Sequence, residues 1–403
     1  MLFWLVPSLA LACTDSLGPW ELDQTLVDPI WQSASCGVAA RNDLAAICGL
    51  DDQGERVVSV FRHDSATDRW PLLQRIRARP GATEPRFGDA LAMDGERLAI
   101  GGARTSSASA TLPSGQRLGY VDLYQYRAEE GDTRFVYERT LSAFPDWSEV
   151  SGPDFGATLA LDGSSLIVGA RFSSAALGRA FVFDLRSDDP PVVLSEPTEG
   201  DAVLSDQRFG TVVDAASGRL AVSKPQLCSD AVAPLVCGGE VYVYHRAPAG
   251  EWVSLRLVSP EMPSESRSFY RDRFGVSVAL GPHWLAVADD NPREGAPRVY
   301  LYGRRSGSED WVYERSIDTS GVSRYGLTGR DAVLAIADTG GRKDSGAPAR
   351  RIRIYRLSPL GTELESELAL PSEFGSRIDV SRSTLIVSDS LAPASALVFQ
   401  RGS

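Results

Sequence analysis

One repeated motif limits what this chain can become. The stretch Arg86-Phe87-Gly88-Asp89-Ala90-Leu91-Ala92-Met93-Asp94-Gly95-Glu96-Arg97-Leu98-Ala99-Ile100-Gly101-Gly102 recurs, degraded but legible, at Phe155-Gly156, Phe209-Gly210, Phe274-Gly275 and Phe374-Gly375. Tyr325-Gly326 opens a further copy, and Cys36-Gly37 opens the first. In each copy an alternating apolar run reaches a short turn such as Asp94-Gly95 or Asp162-Gly163, and a second apolar run follows. That pattern reads as a β-hairpin, because Gly accepts the positive φ of tight turns. The near-continuous apolar character marks both strands as buried on two faces.

A third strand follows a variable loop, as in Gly119–Tyr124, Arg179–Phe183, Glu240–Tyr244, Arg298–Tyr302 and Ile352–Tyr355. A fourth is often opened by an aromatic: Trp70, Phe135, Trp252, Trp311. Four short antiparallel strands repeated radially make a propeller blade. The motif glycines stand at 37, 88, 156, 210, 275, 326 and 375, spacings of one blade plus loop insertions. Trp20–Val27 reads as a fourth strand with no first three, and Ala396–Arg401 as a third strand with no fourth. The expected fold is all-β: a seven-bladed β-propeller of four-stranded antiparallel blades, the last closed by the N-terminal strand. Closure removes an apolar sheet edge and gives Trp20 and Leu22 a core to join.

The motif from Phe155 to Ala170, followed by a Gly-x-Val-Tyr-Val-Tyr strand at Gly239–Tyr244, resembles the FG-GAP repeat of integrin α-subunit propellers. It is more similar still to the bacterial secreted form. The resemblance covers nearly everything from Trp20 onward. Integrin-type copies carry an Asp-x-Asp-x-Asp-Gly calcium loop in the first hairpin. Here that hairpin holds only Asp94-Gly95, Asp162-Gly163, Ser217-Gly218, Pro282-His283, Arg330-Asp331 or Arg382-Ser383. Calcium takes six to eight oxygens, which a two-residue turn cannot supply. No metal site and no cofactor are expected.

Residues 1–12 are apolar and too short to span a bilayer, and read as a signal peptide. Ala10-Leu11-Ala12-Cys13 resembles a bacterial lipobox, which would make Cys13 a lipidated first residue, with 13–19 a tether and 20–403 a single propeller domain. The other four cysteines form two local pairs, Cys36/Cys48 and Cys228/Cys237, expected as disulfides of an exported protein. The expected location is the bacterial envelope, at the outer membrane or outside the cell, with the lipid anchor as the sole membrane contact. A net charge of −12 argues against nucleic acid as partner. A monomer is expected.

Nucleophile elbows, zinc-protease motifs and phosphate-binding loops are absent. Binding is therefore the leading reading: a non-enzymatic scaffold for a protein or glycan. The alternative is a hydrolase or lyase with a site assembled from several blades. Loops joining strands two to three and four to one hold the long insertions, and all emerge on one face. They carry Phe144, Trp147, Phe269 and Tyr270, which strand packing does not require. Arg86, Arg208, Arg273 and Arg324 each precede the motif aromatic, and equivalent positions would bring four guanidiniums to the channel mouth on that face. Arg forks bind carboxylates and other anions bidentately; the competing expectation is ion pairing with carboxylates such as Asp289, Asp338 or Asp389.

Overall fold

The computed structural model describes residues 19–33, 36–79, 86–105, 117–129, 132–142, 154–171, 178–195, 208–225, 238–260, 273–289, 297–319, 325–338, 351–358, 361–370, 374–389 and 395–402. Within them, 28 strands form seven four-stranded antiparallel sheets, and no described residue is helical. The blades span 38–77, 91–141, 158–194, 213–258, 277–318 and 325–369. Blade 7 takes three strands from 374–401 and its outer strand, Trp20–Leu26, from the other end of the chain. That strand runs antiparallel to Ala396–Arg401, pairing Trp20 with Arg401 and Leu26 with Ala396. The ring closes as the sequence predicts, one residue short of Val27.

The turns of the first hairpin differ in detail. In blade 3 the last paired residues are Asp162 and Ser165, so the turn is Gly163-Ser164 rather than Asp162-Gly163. Blade 2 behaves alike: the Asp94 carboxylate accepts the backbone N–H groups of Glu96 (3.1 Å) and Arg97 (2.8 Å), closing the turn from its first position. Asp acts here as a side-chain cap of the turn. Blade 6 turns at Asp331-Ala332 rather than Arg330-Asp331.

The apolar core is divided among the seams between blades. Phe87 packs with Cys48, Val58 and Val60 of blade 1 and with Leu98 and Ile100 of blade 2. Phe155, Phe209 and Phe274 fill the next three seams and are at most 1% exposed. The glycine beside each aromatic has a positive φ of 79 to 92° and donates its N–H to the second strand of its own blade, as Gly88 does to Gly101 O at 2.8 Å. It also presses on the blade before. A Cβ on Gly156 would lie 2.6 Å from Tyr120 O, and one on Gly101 2.1 Å from Gly156 O. Each Phe-Gly pair is thus a wedge and a backbone latch between neighbouring blades.

Cys36 takes the aromatic slot of the first copy and is bonded to Cys48, with Cα atoms 5.0 Å apart. This is the predicted pairing; Cys228 and Cys237 lie outside the described residues.

The closing strand serves two seams. Trp20 packs with Ile352, Leu397 and Phe399 between blades 6 and 7, and Leu26 with Ile386, Val398 and Ala396 between blades 7 and 1. Leu22 contributes little, being 55% exposed, because the pleat turns it outward. Trp20→Ala is expected to destabilise the protein by about 3–5 kcal/mol in denaturant unfolding, whereas Leu22→Ala should change stability by less than about 1 kcal/mol.

Candidate functional site

Three of the four predicted arginines fall within the described residues, at equivalent places before blades 2, 4 and 5. Arg86 is half-buried and bonded to Asp89 (3.0 Å) and Asp154 (2.5 Å). Partial burial opposes its charge, but the two carboxylates prevail and hold the guanidinium above its ordinary pKa. Asp154 is buried and also accepts Arg171 (2.8 Å), while Asp89 accepts Arg56 of blade 1, so a chain of ion pairs crosses two seams. Arg208 sits at a φ of 58°, its carbonyl accepting the Thr211 hydroxyl. The Arg273 backbone N–H donates to the buried Asp289 carboxylate at 3.0 Å. Arg324, Phe144, Trp147, Phe269, Tyr270 and Cys13 lie outside the described residues.

The inner strands carry a polar cluster that the motif search passed over. At one register position the seven blades present Ala39, Ala92, Ala160, Asp214, Ala279, Thr328 and Asp379. The side chains of the polar three turn to the next blade and bond the free edge of its inner strand, whose outward N–H groups have no ladder partner. Asp214 accepts Leu280 N–H at 2.7 Å, Asp379 accepts Ala40 N–H at 2.8 Å, and Thr328 donates its hydroxyl to Asp379 at 2.7 Å. Burial pushes the Asp214 carboxyl up to about 7 despite these donors and the positive charge of Arg330. Asp379 is pushed up for the same reason. Arg41 is pulled down, by burial first and then by the like charge of Arg330.

A cleft of about 700 Å³ opens between blades 5 and 6, on the face of the short loops. Pro282, His283, Trp284, Tyr302, Glu314 and Leu357 are among its walls. Trp284 is 8% exposed and donates Nε1–H to Asp331 O across the seam at 2.7 Å. Its ring fits because two glycines flank it: a Cβ on Gly281 or on Gly329 would come within 2.2 Å of the indole. Arg304, at the rim, is held by Ser308 O (2.8 Å) and His283 Nδ1 (3.2 Å). The other blades begin their second strand with residues such as Arg97, Ser165, Arg219 or Thr384. The departure at Pro282-His283-Trp284 was the sequence signal for this cleft. Among the described residues no group of three or more His, Cys, Asp or Glu is arranged to hold a metal ion.

The molecule is a seven-bladed β-propeller, a fold that recurs among solved structures. A chain of the mitotic checkpoint complex crystal structure is similar over 100% of this chain and 98% of its own length, at 13% identity and a TM-score of 0.54. The β-propeller domain of the trilobed protease from Pyrococcus furiosus matches over 92% of this chain and 95% of its own, at 10% identity and a TM-score of 0.49. Likeness at such identity concerns the fold alone. No protein-family model matches the sequence, and no curated protein does.

Two outcomes follow from this geometry. The folded protein keeps the Asp214 proton up to about pH 7, whereas the unfolded chain releases it near 3.8. Stability contributed by this group is full below the unfolded value and is lost as pH rises through the folded one. Thermal melts of wild type and Asp214→Asn should therefore diverge between about pH 4 and 7, wild type losing ground as pH rises. Gly329→Ala should drive the Trp284 ring out of place and lower stability by about 1–3 kcal/mol, read by denaturant unfolding.

Proposed function

We propose that the chain is an exported, lipid-anchored propeller of the bacterial FG-GAP type, acting as a non-enzymatic scaffold that binds a protein or glycan. The observation that carries binding is the preformed cleft at the 5/6 seam. Its Trp284 wall is fixed by close packing and a cross-blade hydrogen bond, the condition under which a site binds without ordering itself first. Its volume of about 700 Å³ suits a small molecule or a few protruding side chains. The long-loop face, with Phe144, Trp147, Phe269 and Tyr270, is a second surface in this proposal. Export is supported by the Cys36–Cys48 bond, since such bonds persist in oxidising compartments.

The full-length gene expressed in a bacterium with an outer membrane tests the anchor. Mass spectrometry of the N-terminal peptide should find Cys13 lipid-modified and residues 1–12 removed, and Cys13→Ala should move the protein from the membrane to the soluble fraction. An unmodified peptide retaining residues before Cys13 would sink the anchor. Non-reducing peptide mapping should recover Cys36–Cys48 and Cys228–Cys237 as bonded pairs; four free thiols would remove the support for export. For binding, arrays of glycans and envelope proteins should show saturable capture that a filled 5/6 cleft prevents.

A further inference from the structure

The fourth strands of blades 5, 6 and 7 share a construction that is completed at the 6/7 and 7/1 seams and left open at the 5/6 seam. In blades 5, 6 and 7 the outer strand carries a β-bulge three residues after its opening position, and the extra residue is acidic: Glu314, Glu365 and Asp23. A bulge re-aims its side chain. The Glu365 carboxylate accepts Trp20 Nε1–H at 3.1 Å, and Asp23 accepts Trp70 Nε1–H at 2.7 Å. In both cases the tryptophan opens the fourth strand of the next blade and is at most 3% exposed. At the 6/7 and 7/1 seams, then, a bulge carboxylate anchors the indole that opens the next blade's fourth strand.

Blade 6 has Thr362 where blades 7 and 1 have Trp20 and Trp70. Thr362 and Glu314 both line the 700 Å³ cleft. Among the described residues, Glu314 has no hydrogen-bond or ion-pair partner. Its equivalent Glu365 is also paired with Arg356 (2.8 Å), but the facing position in blade 5 is Gly303, over which the Glu314 carboxylate lies. The one other blade without an opening aromatic is blade 3, where Pro190 and Pro191 precede the short fourth strand, and there too a cleft appears, of about 380 Å³. The bulge carboxylate of the preceding blade 2, Glu138, already lies within 3.8 Å of Arg97 and 3.7 Å of Arg139. Among the described residues, only the 5/6 seam joins an open aromatic slot to an unpaired carboxylate.

We infer that this cleft receives an indole, or an equally flat aromatic bearing one N–H, from a tryptophan side chain of a partner protein, the N–H donating to Glu314 and the ring packing in the slot that Trp20 and Trp70 fill elsewhere. This rests on the reading of the cleft as a binding site and adds the chemistry of what enters it. Trp284, Tyr302 and Leu357 supply the apolar walls, and the charge on Glu314 strengthens the bond it accepts.

Calorimetric titration of the full chain with N-acetyl-L-tryptophanamide, and with its benzothiophene counterpart, in which sulfur replaces the N–H, tests the inference. The indole probe should bind saturably and the benzothiophene about tenfold more weakly. Glu314→Ala should erase that difference, and Thr362→Trp, which supplies the indole from within, should abolish binding of both. Should Thr362→Trp misfold, Glu314→Ala, at an exposed side chain, decides the question alone. Equal affinity for the two probes, lost in Thr362→Trp, would overturn indole recognition while leaving the cleft as a binding site. Binding unchanged in Thr362→Trp would overturn the cleft and the reading beneath it. No binding to wild type would overturn the inference alone, and a neutral oligosaccharide excluded by Thr362→Trp would reassign the cleft to a glycan.

Discussion

The structure depends on how closely one blade's backbone approaches the next. A propeller blade cannot bury its faces alone, and its neighbours must do so. The Phe-Gly pair solves this twice in two residues. The ring enters the seam as its largest apolar body, and the glycine lets backbone meet backbone where a Cβ would stand 2.1 to 2.6 Å from a carbonyl oxygen. Gly101 against Gly156 and Gly169 against Gly210 repeat the contact one seam apart. Fixing the blades at this distance fixes the channel, and the channel decides which inner-strand N–H groups need a side-chain acceptor. Asp214 and Asp379 answer that need, and for Asp214 the surroundings favour the neutral acid up to about pH 7.

Much of this was legible in the sequence because the repeat states it seven times. The blade number, the strand order and the closure by Trp20–Leu26 all follow from apolar periodicity and from two incomplete units at the chain ends. Cys36 in the place of the motif aromatic identified its own disulfide partner on the following strand. The register of turns was less legible, since Asp94 and Asp162 act from the position before the turn and a dipeptide spelling does not separate the two cases. Leu22 was misplaced because alternation alone does not say which face of an outer strand meets a neighbour.

The cleft was harder to see for a physical reason. It arises from what blade 6 lacks, and a repeat search rewards what copies share. Trp70, Phe135, Trp252 and Trp311 were recognisable as openings of fourth strands, but the blank at Thr362 carried meaning only once the bulge placed Glu314 beside it. Bulges leave almost no mark on a single sequence, because the extra residue keeps the apolar alternation on either side. Trp284 was visible as a departure and was easily taken for a core residue. It is one, and its confinement between Gly281 and Gly329 is what makes the cleft wall rigid.

Seams that are stabilised separately are what let one of them open. In a radial repeat each interface contributes its own term to stability, so an aromatic missing from one seam weakens that interface without loosening the other six. The 6/7 seam, which the closing strand Trp20–Leu26 borders, shows the opposite choice: Trp20 fills the slot, and Arg356 and Arg401 pair with Glu365. Blade 5 could not be sealed the same way, because Gly303 offers no guanidinium and Thr362 no ring. A carboxylate left exposed over a glycine costs little in water, and the Trp284 wall is held from both blades, by Gly281 on one side and by Gly329 and Asp331 O on the other. The seam therefore tolerates being open, and the same groups that close the neighbouring seam define what would close this one.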